Sequence, residues 1–369
     1  MRFFKFFTLF LNYNSLLLGM KYILPIFLIS LNCSFSQELT KIAFGSCAHQ
    51  GDSLFILNDV VKHKPDYFVF LGDNIYADTY NVDTLKSYYE KLKAKTAYQN
   101  LKRNTKIIAT WDDHDYGMND IGKYYDCKKE SKEIFLDFFE EPLISARRFH
   151  EGIYTSYRSE VKLGGNITKK IQFIVLDERT FRSNLSQYDF EIDTLIFKDK
   201  RYFYDLDYVP QISTDSTILG KDQWIWLENE LKKEADIRII CSGTQFGIEY
   251  NGYESWANFP AEKEKMVDLI LKTKAKGVIF ISGDVHYSEI SKNESAGMYP
   301  IYDITSSGLS ETWKFATPNK NRIEGPIMDN NFGLLTLDWK KLDIKMEIWD
   351  KKGNQRIEYT IPFSDLDFE

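Results

Sequence analysis

The sequence predicts an α/β domain in which layers of strands and helices alternate. Two observations lead to this fold class. Short apolar runs rich in Ile, Val and Phe are each followed by a cluster of Asp, His, Gly or Ser, and stretches with helical periodicity lie between the runs. Apolar runs of this length, bounded by Gly, Ser or Asp, are typical of buried strands. Because strands that alternate with helices along a chain form layered domains, we expect that architecture here.

The predicted elements follow one another in a regular order. The strands, with the polar clusters that end them, lie at 41–50, 67–78, 106–117, 171–182, 238–246 and 277–288. The helices are expected at 54–63, 85–100, 131–140, 221–234 and 261–276. The fourth helix is amphipathic, with an apolar face formed by Trp224, Trp226, Leu227 and Leu231. Since such sheets bind ligands at the carboxyl ends of their strands, the polar clusters mark the expected site.

Two segments depart from this alternation. Residues 185–219 lack clear periodicity and are rich in Asp and Tyr, which predicts a surface insertion. Residues 331–363 alternate apolar and polar side chains around a turn at 352–354, which predicts antiparallel strands at a sheet edge. No repeat or flexible linker divides the chain, so residues 37–369 are expected to form a single domain.

The composition excludes several classes of protein. The chain has 369 residues, and its hydrophobic share of 43% can bury a substantial core, which excludes wholesale disorder. The net charge of −7 argues against sequence-independent binding to nucleic acid or anionic membrane. It is compatible with a small phosphate-containing substrate, because a bound metal ion can reverse the local field. The oligomeric state is left open.

Residues 1–36 are predicted to be an N-terminal targeting segment. Asparagines and a lysine interrupt its apolar stretch, so no stable transmembrane anchor is expected. A positive region at Met20, an apolar stretch and small residues ending at Ser36 are typical of a signal peptide. We therefore interpret Met20 as the true start and Gln37 as the mature N-terminus.

This segment predicts a periplasmic or secreted protein. A lipoprotein anchored through Cys33 and an uncleaved N-terminal anchor are the alternatives. The mature chain then keeps Cys47, Cys127 and Cys241, an odd number, so in an oxidising compartment at least one is free, pairs between chains or binds a metal. Whether Cys127 and Cys241 form a disulfide stays open, because sequence gives no distance.

Polar residues at several strand ends have the chemistry of metal ligands. Asp73 and Tyr76 lie three apart in GDNIY, so both can face one ion. Asp284 and His286 lie two apart in GDVH and would point to the same side of an extended segment. Cys47 ends the first strand. Carboxylate, imidazole, phenolate and thiolate donors that converge from several loops are typical of sites for hard and borderline metals.

The motif WDDHD at 111–115 adds a concentration of charge beside a buried strand, which is costly unless it is paired or metal-bound. Taken singly, each residue has a structural explanation. An Asp after a strand usually caps a turn or helix, and a buried Cys usually packs in the core. A structural explanation would have to cover several Asp and His clusters at once, so the joint pattern favours a metal site.

The order of these motifs resembles that of a known family. FGSC, GDNIYAD, WDDHDYG, LDERTFR, LG..QW.WLE..L and SGDVHYS occur in this order, as in the PhoD-like (alkaline phosphatase D) branch of the calcineurin-like metallophosphoesterases. The resemblance spans roughly residues 41–310. It implies a four-layer αββα sandwich of two mixed sheets flanked by helices, with metals at the loops between the sheets.

The resemblance also implies a set of ligands. A ferric ion would be held by Cys47, Asp73, Tyr76 and His286. Asp73 would bridge to calcium, with Asp113 and Asp284 as further ligands. The number of calcium ions, and which acidic residue of WDDHD binds metal, stay open. His49 lies two residues beyond Cys47 and is expected to support the site or the fold without binding metal.

Two further residues are expected to act on the substrate. His114 matches the His of the superfamily's GNH motif and, if protonated, can stabilise or protonate the leaving alkoxide. Arg179 follows a strand, and Arg suits bidentate contact with phosphate oxygens, so it is the candidate phosphate clamp. The alternative for Arg179 is a surface ion pair.

These patterns predict a secreted, metal-dependent phosphoesterase of the alkaline phosphatase or phosphodiesterase type. It would hydrolyse small phosphate esters by metal-bound hydroxide. Monoester or diester preference is open. The alternative is a calcium-dependent binding or adhesion protein on a catalytically silent scaffold. Cys47, Tyr76 and His286 argue against it, because calcium prefers oxygen ligands. No motif of a serine hydrolase surrounds Ser306 and Ser307.

Overall fold

The computed structural model describes residues 38–187, 208–211, 213–249 and 252–368. The predicted targeting segment at 1–36, with Cys33, lies outside these residues, as does most of the predicted insertion at 185–219. Among the residues that are described, no helix combines the length and the hydropathy needed to cross a membrane.

The strands and helices alternate along the chain as predicted. The strands are β1 (Leu39–Gly45), β2 (Tyr67–Leu71), β3 (Lys106–Thr110), β4 (Thr155–Lys162), β5 (Thr168–Val175), β6 (Ser186–Gln187), β7 (Tyr208–Val209), β8 (Ile237–Cys241), β9 (Val278–Ser282), β10 (Ser288–Asn293), β11 (Ile301–Ser306), β12 (Arg322–Ile327), β13 (Asn331–Asp338), β14 (Asp343–Asp350) and β15 (Gln355–Pro362). The α-helices of the described ranges are α1 (Ile56–Lys62), α2 (Val82–Lys93), α3 (Thr96–Asn104), α4 (Asp113–Tyr116), α5 (Lys128–Phe138), α6 (Gly220–Leu231) and α7 (Pro260–Thr273).

Most strands belong to two mixed sheets. The first has the order β15-β14-β13-β1-β2-β3, and the second has the order β12-β10-β11-β9-β8-β5-β4. In the first sheet β1, β2 and β3 run parallel. The C-terminal strands β13, β14 and β15 pair antiparallel, with β15 at the edge, which confirms the predicted C-terminal addition.

Each parallel strand is buried on both faces, which explains its continuous apolar sequence. In β2, Val69 and Leu71 belong to one hydrophobic cluster, whereas Phe68 and Phe70 belong to another. Successive side chains of a strand point to opposite faces, so the two clusters lie on opposite sides of the first sheet. The first cluster also contains Phe173 of β5, and it therefore includes the core between the two sheets.

Helices cover the outer face of each sheet. Leu85 of α2 and Phe135 of α5 pack with the outer residues of the first sheet. Trp224 of α6 and Met266 of α7 pack in the cluster that contains the second sheet. The predicted arrangement of two mixed sheets flanked by helices is confirmed.

Several details differ from the sequence prediction, which did not include strands β10, β11 and β12. The helix expected at 85–100 is two helices, α2 and α3, because Lys95 between them is extended, with ψ of 125°. The strand β4 was not predicted, since it is an edge strand with mostly half-exposed polar residues and lacks an apolar run. At the ends of the expected insertion, β6 and β7 form a short antiparallel pair.

The carboxyl ends of the parallel strands of both sheets meet on one side of the molecule. Ser46, directly after β1, forms an isolated parallel bridge with Ser307, directly after β11. The amide of Ser46 donates to the carbonyl of Ser306 over 3.1 Å. This bridge joins the two sheets where the polar motifs follow the strands, and it therefore places those motifs around one site.

Candidate metal centre

The six residues implied as metal ligands come together at the carboxyl ends of the strands. Cys47 Sγ lies 3.4 Å from Asp73 Oδ2 and 3.6 Å from the carbonyl oxygen of Asp284. The Tyr76 hydroxyl lies 3.5 Å from the same Asp73 oxygen. Carboxylate oxygens within 4.8 Å of one another come from Asp73, Asp112, Asp113 and Asp284. The ring of His286 lies 6.3 Å from that of Tyr76.

Four of these residues have a left-handed backbone conformation, which residues other than glycine rarely adopt. Their φ angles are 60° for Cys47, 49° for Asp73, 75° for Asp284 and 57° for His286. Each such residue costs about 1–3 kcal/mol, and such strain concentrates at functional sites. The turns are held by neighbouring contacts, among them a 2.8 Å hydrogen bond from the Ala48 amide to the Asp73 carbonyl.

Asp115 fixes the two acidic loops relative to each other. Its fully buried carboxylate accepts hydrogen bonds from the amides of Asp112 (2.7 Å) and Asp73 (3.2 Å). It also accepts from Asn74 Nδ2 (2.5 Å) and the Tyr89 hydroxyl (3.1 Å). The last acid of WDDHD is therefore engaged by protein donors, and it positions Asp73 and Asp112 at the centre.

The carboxylates at the centre lack partners that a metal ion would supply. Asp73 Oδ1, Asp112 Oδ2 and Asp113 Oδ1 are buried and have no hydrogen-bond partner within the described part of the chain. Burial, together with neighbouring carboxylates, raises the pKa of Asp73 and Asp112 well above the usual range. Buried orphan carboxylate oxygens are costly unless paired or metal-bound, so this donor set fits cations.

Cys47 and Tyr76 give one side of the centre its softer donors. The Cys47 thiol is fully buried, and burial followed by the charge of Asp73 raises its pKa. Burial and the charges of Cys47 and Asp73 likewise raise the pKa of Tyr76. Because burial disfavours their charged forms, the thiolate and the phenolate need a cation of high charge beside them. A ferric ion fits that requirement.

His286 is held as a neutral imidazole beside these donors. Burial, followed by the charge of His114, lowers its pKa to about 4. Ser307 links it to Cys47, because its hydroxyl accepts from the His286 amide over 2.8 Å and lies 3.0 Å from Cys47 Sγ. A neutral imidazole is the form that binds metal.

His114 is paired with Asp78, a residue that the sequence analysis did not single out. His114 Nδ1 lies 2.8 and 2.9 Å from the two oxygens of Asp78, and its ring lies 4.3 Å from the ring of Tyr76. Burial lowers the pKa of His114, but the charges of Asp113, Asp78 and Asp73 outweigh burial and raise it to about 10. The signal for this pair was the second Asp of GDNIYAD.

Arg179 lies in buried ion pairs, whereas a phosphate clamp would face the solvent-filled site. Its side chain is fully buried, with Nε 2.6 Å from Asp112 Oδ1 and Nη1 2.8 Å from Glu254 Oε2. Its Nη2 lies 3.6 Å from Asp113 Oδ1. The surface ion pair considered as the alternative is excluded by this burial. Glu254, which also pairs with Arg182 Nε at 3.1 Å, was not predicted.

Arg179 also sets the charge of the acidic group next to it. Burial raises the pKa of Asp113, but the charges of Arg179 and His114 outweigh burial and hold it down at about 2. In this arrangement the guanidinium orients Asp112 and keeps Asp113 ionised.

The remaining cysteines and His49 lie outside the ligand set. Cys127 and Cys241 are both free thiols, which answers the open question of a disulfide between them. His49 Nδ1 accepts a hydrogen bond from the Gly51 amide over 3.1 Å, and its ring lies 5.5 Å from that of Tyr76.

The two mixed sheets flanked by helices form a sandwich of the kind found in metallophosphoesterases. A solved structure of PhoD superposes with a TM-score of 0.61 and 16% identity, covering 88% of this chain and 72% of that chain. A purple acid phosphatase from yellow lupin (Lupinus luteus) seeds superposes with a TM-score of 0.59 and 15% identity, covering 89% of this chain and 55% of that chain.

The sequence pattern of the PhoD-like phosphatases matches residues 42–322, so the chain belongs to this family. Alkaline phosphatase D of Bacillus subtilis (strain 168) is 25% identical over 275 residues, which cover 68% of this chain. The match covers 44% of the length of that relative.

Proposed function

We propose that this protein is a secreted, metal-dependent phosphoesterase of the alkaline phosphatase or phosphodiesterase type, with Fe³⁺ and Ca²⁺ as its metals. The observation that carries the proposal is the position of Asp73. One of its oxygens lies within 3.5 Å of both Cys47 Sγ and the Tyr76 hydroxyl, and the other is buried without a hydrogen-bond partner among the described residues. Asp73 therefore stands between a softer donor set and a carboxylate set, as a bridging ligand does.

The two donor sets suit different ions. Cys47, Tyr76, His286 and Asp73 would hold the ferric ion. The shared Asp73, with Asp113 and Asp284, would hold calcium, which prefers oxygen ligands. Bound together, the two metals would supply an activated water nucleophile and Lewis acids for the phosphoryl oxygens.

The chain's own residues would then manage protons and orientation. His114 directs Nδ1 at Asp78, so Nε2 is the nitrogen that can give a proton to the leaving oxygen of the ester. Arg179 would act as a positioning residue that holds Asp112 and keeps Asp113 ionised.

Export follows from the predicted targeting segment, and its test is N-terminal sequencing of protein recovered outside the cytoplasm.

Turnover and metal content together test this function. We would load the purified protein with iron and calcium and follow hydrolysis of 4-nitrophenyl phosphate and bis(4-nitrophenyl) phosphate, with and without a chelator. Chelator-sensitive release of 4-nitrophenolate is expected, and the ratio of the two rates assigns monoester or diester preference. Protein that contains both metals but turns over neither ester would overturn the proposal. Calcium without iron would instead support a binding or adhesion protein.

A further inference from the structure

A series of aromatic rings leads from the candidate metal centre to the surface. The ring of Trp313 lies 5.3 Å from that of His286, at an interplanar angle of 14°. The ring of Phe315 lies 5.1 Å beyond Trp313, at 15°. Tyr253 flanks both, 5.4 Å from Trp313 and 6.4 Å from Phe315. We call Tyr253, Trp313 and Phe315 the aromatic platform.

The segment that carries Trp313 and Phe315 is hydrogen-bonded to residues of the candidate centre. The amides of Ser310 and Glu311 both donate to the Cys47 carbonyl, over 3.0 and 3.2 Å. The Trp313 amide donates to the His286 carbonyl over 3.1 Å. Because these hydrogen bonds tie the segment to Cys47 and His286, it has a fixed position relative to these two proposed ligands.

Tyr253 is fixed from the other side of the site. It precedes Glu254, whose carboxylate lies in the buried ion pair with Arg179 at 2.8 Å. Phe315, at the outer end of the platform, is 47% exposed, whereas Trp313 and Tyr253 are half-buried. An exposed phenylalanine ring at the end of a stack that begins at His286 is an apolar surface on which a planar group can pack.

We propose that the aromatic platform binds the base of a nucleoside phosphate ester, so that nucleotides are the substrate class. This rests on the proposed phosphoesterase function. Aromatic side chains stack on any nucleobase, because every base has a π-face. Phe315 lies two ring-to-ring steps of 5.3 and 5.1 Å beyond His286. A base stacked at that position would be separated from a phosphate at the centre by a spacer, as ribose separates the two in a nucleotide.

The test compares two substrates that differ only in the base. Adenosine 5′-phosphate and ribose 5-phosphate share the same leaving oxygen, and both are assayed by phosphate release. If the protein hydrolyses only diesters, their methyl diesters take their place, and chromatography of the released nucleoside or ribose replaces the phosphate assay. In Phe315→Ala the ratio of kcat/KM for the adenosine substrate over the ribose substrate should fall about tenfold, within the range of base–aromatic stacking. Phe315→Tyr should restore the ratio.

A matched control uses an exposed ring elsewhere on the surface. Phe149 is 77% exposed, and Phe149→Ala should leave the ratio unchanged. A ratio that is the same in Phe315→Ala and wild type, or an equal loss with both substrates, would overturn the platform but leave the phosphoesterase standing.

A binding measurement keeps the inference testable if turnover fails. Hydrolysis of none of these esters would count against the proposed function, and calorimetry would then compare the binding of adenosine 5′-phosphate and ribose 5-phosphate. Tighter binding of the nucleotide that disappears in Phe315→Ala supports the platform. Equal binding of the two compounds overturns it.

Discussion

Nδ1 of His114 lies 2.8 Å from Oδ1 of Asp78, at the rim of the candidate metal centre. The carboxylate orients the imidazole and favours its protonated form, since the charge of Asp78 contributes to the raised pKa of His114. Under the proposed function, this pairing would leave Nε2 of His114 as the nitrogen that donates a proton to the leaving group.

Loss of His114 should matter most for esters with poor leaving groups. For an alkyl phosphate, His114→Ala should lower kcat/KM by roughly 10²–10⁴-fold, the usual contribution of general acid catalysis. For a 4-nitrophenyl ester the loss should be much smaller, because that leaving group needs no proton. Asp78→Asn should follow the same pattern with a loss of about tenfold. Equal losses with both leaving groups would argue against proton donation by His114. His150→Ala serves as the control, because the ring of His150 stacks on that of Tyr154 and belongs to none of the motifs of the centre.

Cys47→Ser should remove iron and retain calcium. The substitution replaces the thiolate with a hydroxyl that stays protonated, so the softer donor set loses an anionic ligand. Elemental analysis of the purified variant should show iron well below one ion per chain, with calcium unchanged. Cys127→Ser is the matched control, because Cys127 is a free thiol whose Sγ lies 3.4 Å from the Tyr80 carbonyl. Full iron content in Cys47→Ser would contradict the assignment of this ligand.

Asp115→Asn should destabilise the fold and loosen the centre. An amide oxygen cannot replace a carboxylate that accepts from the amides of Asp73 and Asp112 and from Tyr89. The free energy of unfolding should fall by about 2–4 kcal/mol, since at least one buried donor loses its acceptor. Urea unfolding measures this loss. Asp137→Asn, at a carboxylate with 69% of its side chain exposed, should change the value by less than about 1 kcal/mol.

Arg179→Met separates the two roles considered for this residue. Removing the guanidinium leaves Asp112 buried without its cationic partner and Glu254 paired with Arg182 alone, which should cost about 3–5 kcal/mol of stability. Arg179→Lys should recover part of that loss. Lys102→Met, which breaks a pair with the exposed Glu140, should cost no more than about 1 kcal/mol. Unchanged stability with a raised KM would instead favour a phosphate clamp.

Lys263 should make stability depend on alkaline pH. Burial lowers its pKa to about 8, and its ammonium group donates to the Ile248 carbonyl over 2.6 Å. The unfolded chain, with a lysine pKa of about 10.4, then binds more protons than the folded chain between these values. The contribution of Lys263 to the free energy of unfolding therefore increases as the pH rises from about 8 to about 10.

The comparison with Lys263→Met isolates that contribution. The difference in unfolding free energy between wild type and variant should move in favour of wild type by about 2 kcal/mol from pH 7 to pH 10. Urea unfolding at several pH values measures it. A difference that stays constant over this range would contradict the lowered pKa of Lys263.

The sequence predicted the layered fold and the location of the site for a physical reason. A strand buried on both faces must be apolar throughout, so the change to polar residues marks its end. Cys47, Asp73 and Asp284 directly follow such runs, and their position at the carboxyl ends of parallel strands placed them together.

The partners of these residues were not predictable in the same way. Asp115 looked like a further candidate ligand within WDDHD, and only its contacts with Asn74 and Tyr89 show it as a structural acceptor. Arg179 was predicted as a phosphate clamp, with a surface ion pair as the alternative, and its pairing with Glu254 was not foreseen because it spans 75 positions of sequence. Contacts between distant segments carry no local pattern, so neither arrangement has a signal in a single sequence.

The most direct test of the proposed two-metal centre is anomalous X-ray diffraction from crystals of protein loaded with iron and calcium. Data on either side of the iron absorption edge should give one peak within bonding distance of Cys47 Sγ, the Tyr76 hydroxyl and Asp73. A second, non-iron peak should lie between Asp73 and Asp284. Iron bound elsewhere, or a single ion that touches neither Cys47 nor Tyr76, would contradict the centre described above.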